Sequence, residues 1–213
     1  MVSARRWDCY ARFYDILLRP AAQQRRQVFD HLALKSARRI YLAGCGSGLD
    51  LAYLPQQSAV SAVDFSAVML RKCAERAQHL SRRGHSLDLT LRQGAAEHSS
   101  LPDCCVDVVI LHLILAVIDN PQALLQEACR IVKPDGIISV WDKFVPPQQK
   151  VGRVRRMADY LARKVGTTLV LDIDALLQLH SLAIMQRHSM FQGRMRHGQM
   201  QHLVLQKERT ESR

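Results

Sequence analysis

Apolar positions along the chain keep two different periods, and the two take turns. Short aliphatic runs fall at residues 39–43 (RIYLA), 60–63 (VSAV), 106–111 (VDVVIL) and 137–140 (IISV). Residues 87–91 (LDLTL) alternate apolar with polar, and all five runs read as strands. Between them the apolar residues recur at every third or fourth position. Pro20 opens a helix through AAQQRRQVFDHLAL with Val28, Phe29, Leu32 and Leu34 as its stripe. Ser66 caps a second helix carrying Met69, Leu70, Cys73, Ala74, Ala77 and Leu80, and Asn120 followed by Pro121 starts a third, PQALLQEACRIV, which KPDG ends. LDLAYL begins a short helix limited by Pro55, and residues 171–182 read as another. Two β-like runs near residues 184–188 and 201–205 flank a turn region and are expected to pair as a terminal hairpin. Strands alternating with helices predict an α/β fold.

The length of 213 residues fits one domain with a full core. Within it we expect N-terminal lid helices over 1–35, a ligand-binding core over 36–145, a basic inserted helical segment over 146–182 and the hairpin over 183–207. Hydrophobic residues are 48% and charged residues 23%, which excludes a disordered or fibrous chain. The charge changes the picture more: 30 basic against 19 acidic residues leave a formal +11, which calls for an anionic partner such as nucleic acid, a phospholipid surface or an acidic substrate. The six cysteines show no CxxC spacing, so no metal is expected. The N-terminal stretch has no apolar leader segment, and reduced thiols in a cytoplasmic setting are expected. Residues 108–118 form the longest apolar run, broken by His112 and well short of the roughly 20 residues a membrane span needs.

The first strand runs straight into Gly44-Cys45-Gly46-Ser47-Gly48 and then toward a helix. Glycines there let the backbone turn tightly and approach a ligand that a Cβ would exclude. Asp64 follows Gly44 by 20 residues, at the end of the second strand, where a carboxylate can accept both hydroxyls of a ribose. The pattern is GxGxG rather than the GxGxxG of dinucleotide folds, which points to a nucleoside ligand other than NAD.

Together the glycine loop, AVDFSAVMLRKCAERA, QGAAEHSSLPDCCVDVVI and QEACRIVKPDGIISV resemble, in order and spacing, the class I S-adenosylmethionine-dependent methyltransferases, over residues 10–145. The resemblance implies a Rossmann-like, mostly parallel seven-stranded sheet with helices on both faces and an antiparallel last strand, and S-adenosyl-L-methionine as cofactor. YARFYD, LHLILAVIDNPQALLQEA and WDKF are similar to the small bacterial phosphatidylethanolamine N-methyltransferases and to the ubiquinone/menaquinone C-methyltransferases. Carried over by position, Gly44, Cys45, Gly46 and Gly48 lie beneath the methionine and ribose, Asp64 holds the ribose hydroxyls and Phe65 flanks the adenine. Ala95 and Ala96 meet the adenine edge, Leu111 to Leu113 line the floor under the sulfonium, and Tyr10 and Tyr14 fold over as a lid. Two positions depart from the family: Leu42 and Ala95 stand where acids often orient the methionine ammonium and the adenine amine. Each lost charge-assisted contact is on the order of 1.5–3 kcal/mol. Asp50 is a candidate substitute for the first.

Methyl transfer from a sulfonium needs alignment and desolvation more than protein nucleophiles. A base helps an amine or a ring carbon, and His112 is the candidate, against the reading that a His in an apolar run is a packing residue. Tyr10 and Tyr14, at i and i+4, shape the acceptor pocket or form one packing face. Cys45 reads as a small residue that fits the loop rather than a nucleophile. Lys143, Lys150, Arg153, Arg155, Arg156, Arg163 and Lys164 interleave with apolar residues, which suits peripheral contact with an anionic membrane or a solvated helix face. The acceptor expected is lipid-like or a small molecule, first a phospholipid amine. The other readings are a quinone C-methyltransferase, an RNA methyltransferase using the charge on phosphates, and a non-catalytic binding relative. Nucleic acid ranks lower because LHLI stands where an NPPY-type loop would receive a flipped base.

Overall fold

The computed structural model describes residues 21–36, 38–144, 173–180, 182–190 and 199–207. Helix α1 (Ala22–Leu32) leads into β1 (Arg39–Ala43), and β2 (Ala59–Asp64), α2 (Ala67–Arg82), β3 (Asp88–Gln93), β4 (Val106–His112), α3 (Pro121–Ile131) and β5 (Val132–Phe144) follow. A short α4 (Ile173–Gln178) precedes β6 (Leu182–Ser189) and β7 (Gln199–Lys207). The seven strands form one sheet in the order β3-β2-β1-β4-β5-β7-β6. The first five are parallel, and β7 runs antiparallel to both neighbours, as the hairpin requires. Strand order reverses between β1 and β4, so a crevice opens beyond their carboxyl ends.

Local chemistry sets the helix starts where the sequence places them. The Ser66 hydroxyl accepts from the Met69 N–H at 3.1 Å, and the Asn120 side chain accepts from the Ala123 N–H at 3.0 Å with Pro121 in the first turn. Strand alternation then divides the core in two. Val109, Leu111, Ile138 and Val140 face α3 and α4, packing on Leu124, Leu125, Ile131 and Leu177. Val108, Ile110 and Trp141 face the other way, onto Val28 and Phe29 of α1 and Cys73 of α2.

Three expectations are corrected. LDLAYL makes only a single 3₁₀ turn, Leu51–Tyr53, because the chain must leave the glycine loop and reach Pro55 within a few residues. Strand β5 begins directly after α3 at Val132 rather than at residue 137, with a register shift between the Val106–Val132 and Val108–Ile137 pairs that absorbs KPDG as a bulge. Of the helix expected over 171–182, the described residues show α4, and Leu182 already pairs in β6. Among the described residues no helix is long and apolar enough to cross a membrane. Tyr10, Tyr14 and the basic stretch from residue 146 to 172 lie outside the described residues.

Candidate active site

The glycine loop is held from three sides. Cys45 N–H donates to the Val63 carbonyl at 2.9 Å, Gly46 N–H to Asp64 Oδ2 at 2.8 Å, and Arg76 Nε to the Ser47 carbonyl at 2.8 Å. The other Asp64 oxygen accepts from Ser66 N–H at 2.9 Å, so one carboxylate fixes the loop and the start of α2 while facing the crevice. Gly44, at φ +63°, has no room for a side chain: a Cβ would lie 2.6 Å from Ile114 Cδ1. At Gly48 the obstacle is Cys73 Sγ at 2.9 Å, so that glycine serves the packing of the loop on α2.

Beyond the strand ends lies a cavity of about 290 Å³. One wall is Gly44, Gly46, Asp64, Phe65 and Met69, a second is the loop Gly94-Ala95-Ala96-Glu97, and the third is Leu113, Ile114, Val117, Ile118 and Asp119. The second wall is braced from behind by the buried Tyr41 hydroxyl, which donates to the Ala96 carbonyl at 2.8 Å, and by Arg92, which donates to the Ala95 and His98 carbonyls. Phe65 is 48% exposed, a large apolar ring turned to the crevice. Glycine backbone, a carboxylate at the end of β2 and an apolar ring beside it are the groups a ribose and a purine need.

Of the residues singled out in the sequence, the fold gathers Gly44, Gly46, Asp64, Phe65, Ala95 and Ala96 around this one cavity. Cys45, Gly48 and Leu111 do not border it. Cys45 is buried beside Cys73, and that contact together with burial pushes its thiol up, out of reach of thiolate chemistry. Leu111 faces the α3 layer and is fully buried, so of the floor residues expected over 111–113 Leu113 lines the cavity, joined by Ile114. Met69, Glu97, Ile118 and Asp119 were not singled out. Glu97 stands two residues after Ala95 and Asp119 directly before the Asn120 cap, each inside a quoted motif, QGAAEHSSLPDCCVDVVI and LHLILAVIDNPQALLQEA.

The placement of His112 runs against the role of base. It shares strand parity with Val108 and Ile110, so its ring lies on the α1 face of the sheet, away from the cavity wall. Nδ1 meets Asp50 Oδ2 at 3.0 Å and Nε2 meets Ser139 Oγ at 2.8 Å. Asp50 is likewise engaged behind the sheet, paired with Arg25 as well as His112, and is no substitute for an acid at position 42. Burial works against its charge, but the Arg25 guanidinium and the His112 ring more than offset that and hold the carboxyl down to about 2.

Residues 42–140 match the family model for a methyltransferase domain. A phosphatidylethanolamine N-methyltransferase from Cereibacter sphaeroides is 24% identical over 154 residues, 72% of each chain. A thiol S-methyltransferase from Mus musculus is 28% identical over 109 residues, 49% of this chain but only 42% of that protein, so this chain spans less than half the length of that relative. Among solved structures, a SAM-dependent methyltransferase from Aquifex aeolicus superposes with a TM-score of 0.65 at 16% identity, over 92% of this chain and 97% of its own, a likeness of fold.

Proposed function

We propose that this chain, which carries a methyltransferase domain of the S-adenosylmethionine-dependent class, transfers the methyl group to an amine carried on a lipid-like acceptor. The cavity's own composition supports the reading: four aliphatic residues, Leu113, Ile114, Val117 and Ile118, form one wall and lead to the Asp119 carboxylate at its end. An acyl-bearing molecule buries its tail against such a wall, and its ammonium head meets a carboxylate able to accept a proton. Among the described residues no histidine or lysine borders the cavity, so a carbon acceptor that must lose a proton to a stronger base is less well served.

When bound, S-adenosylmethionine supplies a methyl group already activated on a sulfonium. The protein's part is to align and to exclude water. Asp64 is suited to accept the ribose hydroxyls, the Ala95 and Ala96 backbone to meet the adenine edge, and Gly44 with Ile114 to fix the floor nearest the reacting centre. The similarity to a phosphatidylethanolamine N-methyltransferase over 72% of both chains supports the same acceptor class, and the +11 charge supports an approach to anionic lipid.

The test is transfer of labelled methyl by the full chain, in parallel, to vesicles containing phosphatidylethanolamine and to a soluble alkyl thiol. Label in the solvent-extracted phospholipid is the expected result, with neither arm needing added metal. Label confined to the thiol would replace the amine acceptor by a thiol.

A further inference from the structure

Behind the cavity, on the α1 face of the sheet, side chains from α1, the segment after the glycine loop, β4, β5 and β7 meet in one buried chain of hydrogen bonds. Arg25 donates to Asp50, whose other oxygen faces His112 Nδ1 at 3.0 Å. His112 Nε2 faces Ser139 Oγ at 2.8 Å, Ser139 Oγ faces His202 Nε2 at 3.0 Å, and His202 Nδ1 faces His31 Nδ1 at 3.4 Å. Donor counting orders the chain. A carboxylate only accepts, so His112 Nδ1 carries a proton. Where Nε2 accepts the Ser139 O–H, Ser139 Oγ is left to accept from His202 Nε2–H. His202 Nδ1 is then bare and accepts from His31 Nδ1–H. Every proton has one taker.

Two links of this chain adjoin, along the backbone, the glycine loop and the floor of the cavity. Asp50 stands two residues after Gly48, in a turn closed by Leu51 N–H to the Gly48 carbonyl at 3.1 Å and Tyr53 N–H to the Asp50 carbonyl at 3.0 Å. His112 is followed by Leu113, held at φ +57° with its N–H on the Trp141 carbonyl at 2.7 Å, and Leu113 and Ile114 are the cavity floor. Ile114 in turn lies where a Gly44 Cβ would be. We infer that the hydrogen bond from His112 Nδ1–H to Asp50 is a strut that sets the spacing between the glycine loop and the Leu113–Ile114 floor, which makes His112 and Asp50 positioning residues for cofactor binding. Arg25 extends the strut to α1. Nothing in this depends on which acceptor is methylated.

The experiment uses S-adenosylhomocysteine as probe and calorimetry on the full chain, at a temperature where circular dichroism shows each variant folded. Asparagine at 112 can present an N–H near the position of Nδ1, whereas glutamine places its amide near Nε2. The expected result is that His112→Gln weakens binding tenfold or more while His112→Asn stays within about threefold of the wild type. Equal losses in both, no loss in either, or the reverse order overturns the strut, and unchanged affinity with lost turnover would return His112 to the role of base. A readout free of any variant is the long-range ¹H–¹⁵N spectrum of the unmodified protein: a protonated Nδ1 on His112 is expected, and a bare Nδ1 overturns the proposal. Failure of the unmodified chain to bind the probe would overturn the methyl-transfer reading together with this one, which separates it from failure of the strut alone.

Discussion

Two carboxylates within reach of the same glycine loop live in opposite surroundings. Asp64 sits at the cavity wall and takes backbone N–H groups of Gly46 and Ser66. Asp50 is buried behind the loop and takes side chains, Arg25 and His112, drawn from opposite parts of the chain. The cavity side is built from backbone and aliphatic groups around one carboxylate, while on the rear side charged and imidazole side chains bond to one another. A buried brace depends on both members of each pair, since a buried group left without its partner costs about 1–3 kcal/mol.

Removing one partner on the rear side should therefore have the largest effect. Asp50→Ala leaves Arg25 buried without its counter-charge, and unfolding by urea should show a loss of roughly 3–5 kcal/mol. If the variant stays within 1 kcal/mol of the wild type, the rear side is no brace. On the cavity side, Gly44→Ala should act on binding: the left-handed φ costs about 1–2 kcal/mol in an L-residue, and the new Cβ drives into Ile114. Affinity for S-adenosylhomocysteine should fall by about two orders of magnitude in calorimetry. Ile114→Ala in the same background should recover part of it, because the clash is with that side chain.

The rear side should also respond to acid. Burial, and then the neighbouring His112, His31 and His188 rings, push His202 down to about 3 from its ordinary 6.5. The unfolded chain thus binds a proton below pH 6.5 that the folded chain refuses, so this contribution to stability is complete above 6.5 and is lost as pH falls toward 3. Asp142 acts in the opposite sense. Burial raises it to about 6, so the folded chain takes up its proton first and the contribution is lost as pH rises through 6. Asp142 is common to wild type and His202→Gln, and the difference in unfolding free energy between them isolates His202. That difference should shrink by about 2 kcal/mol from pH 7.5 to 5. A constant difference would mean that His202 is not held neutral.

The same contrast explains what was legible in the sequence. The glycine loop, Asp64 and the Ser66 and Asn120 caps depend on residues close in sequence or at a fixed spacing, and strand alternation fixed the sheet. Of the floor expected over residues 111–113, Leu111 falls away and Leu113 stays, because the floor is made after β4 ends, where Leu113 turns to a positive φ that no periodicity announces. For His112 the sequence left two readings, base and packing, for a different reason. Its partners Asp50 and Ser139 lie 62 and 27 residues away, and the last link, His31 to His202, spans 171. Side-chain networks of that reach are set by strand order, which has to be known before they can be read.

The smallest predicted effect is also the sharpest test of what the cavity wall is for. Asp64→Asn keeps one acceptor oxygen and replaces the other by an amide N–H₂, which cannot accept from Gly46 or Ser66 N–H and cannot take a ribose hydroxyl in that direction. Losing one charge-assisted bond of about 1.5 kcal/mol predicts roughly tenfold weaker binding of S-adenosylhomocysteine. That loss alone would not tell a ribose contact from a loosened loop, because the same oxygens hold Gly46. A 2′,3′-dideoxy analogue of the ligand separates them. If Asp64 serves the hydroxyls, wild type and variant should bind the analogue within about twofold of each other, since the ligand no longer offers what the variant has lost. If the tenfold gap persists against the analogue, Asp64 acts on the loop, and the cavity side is braced in the same manner as the rear.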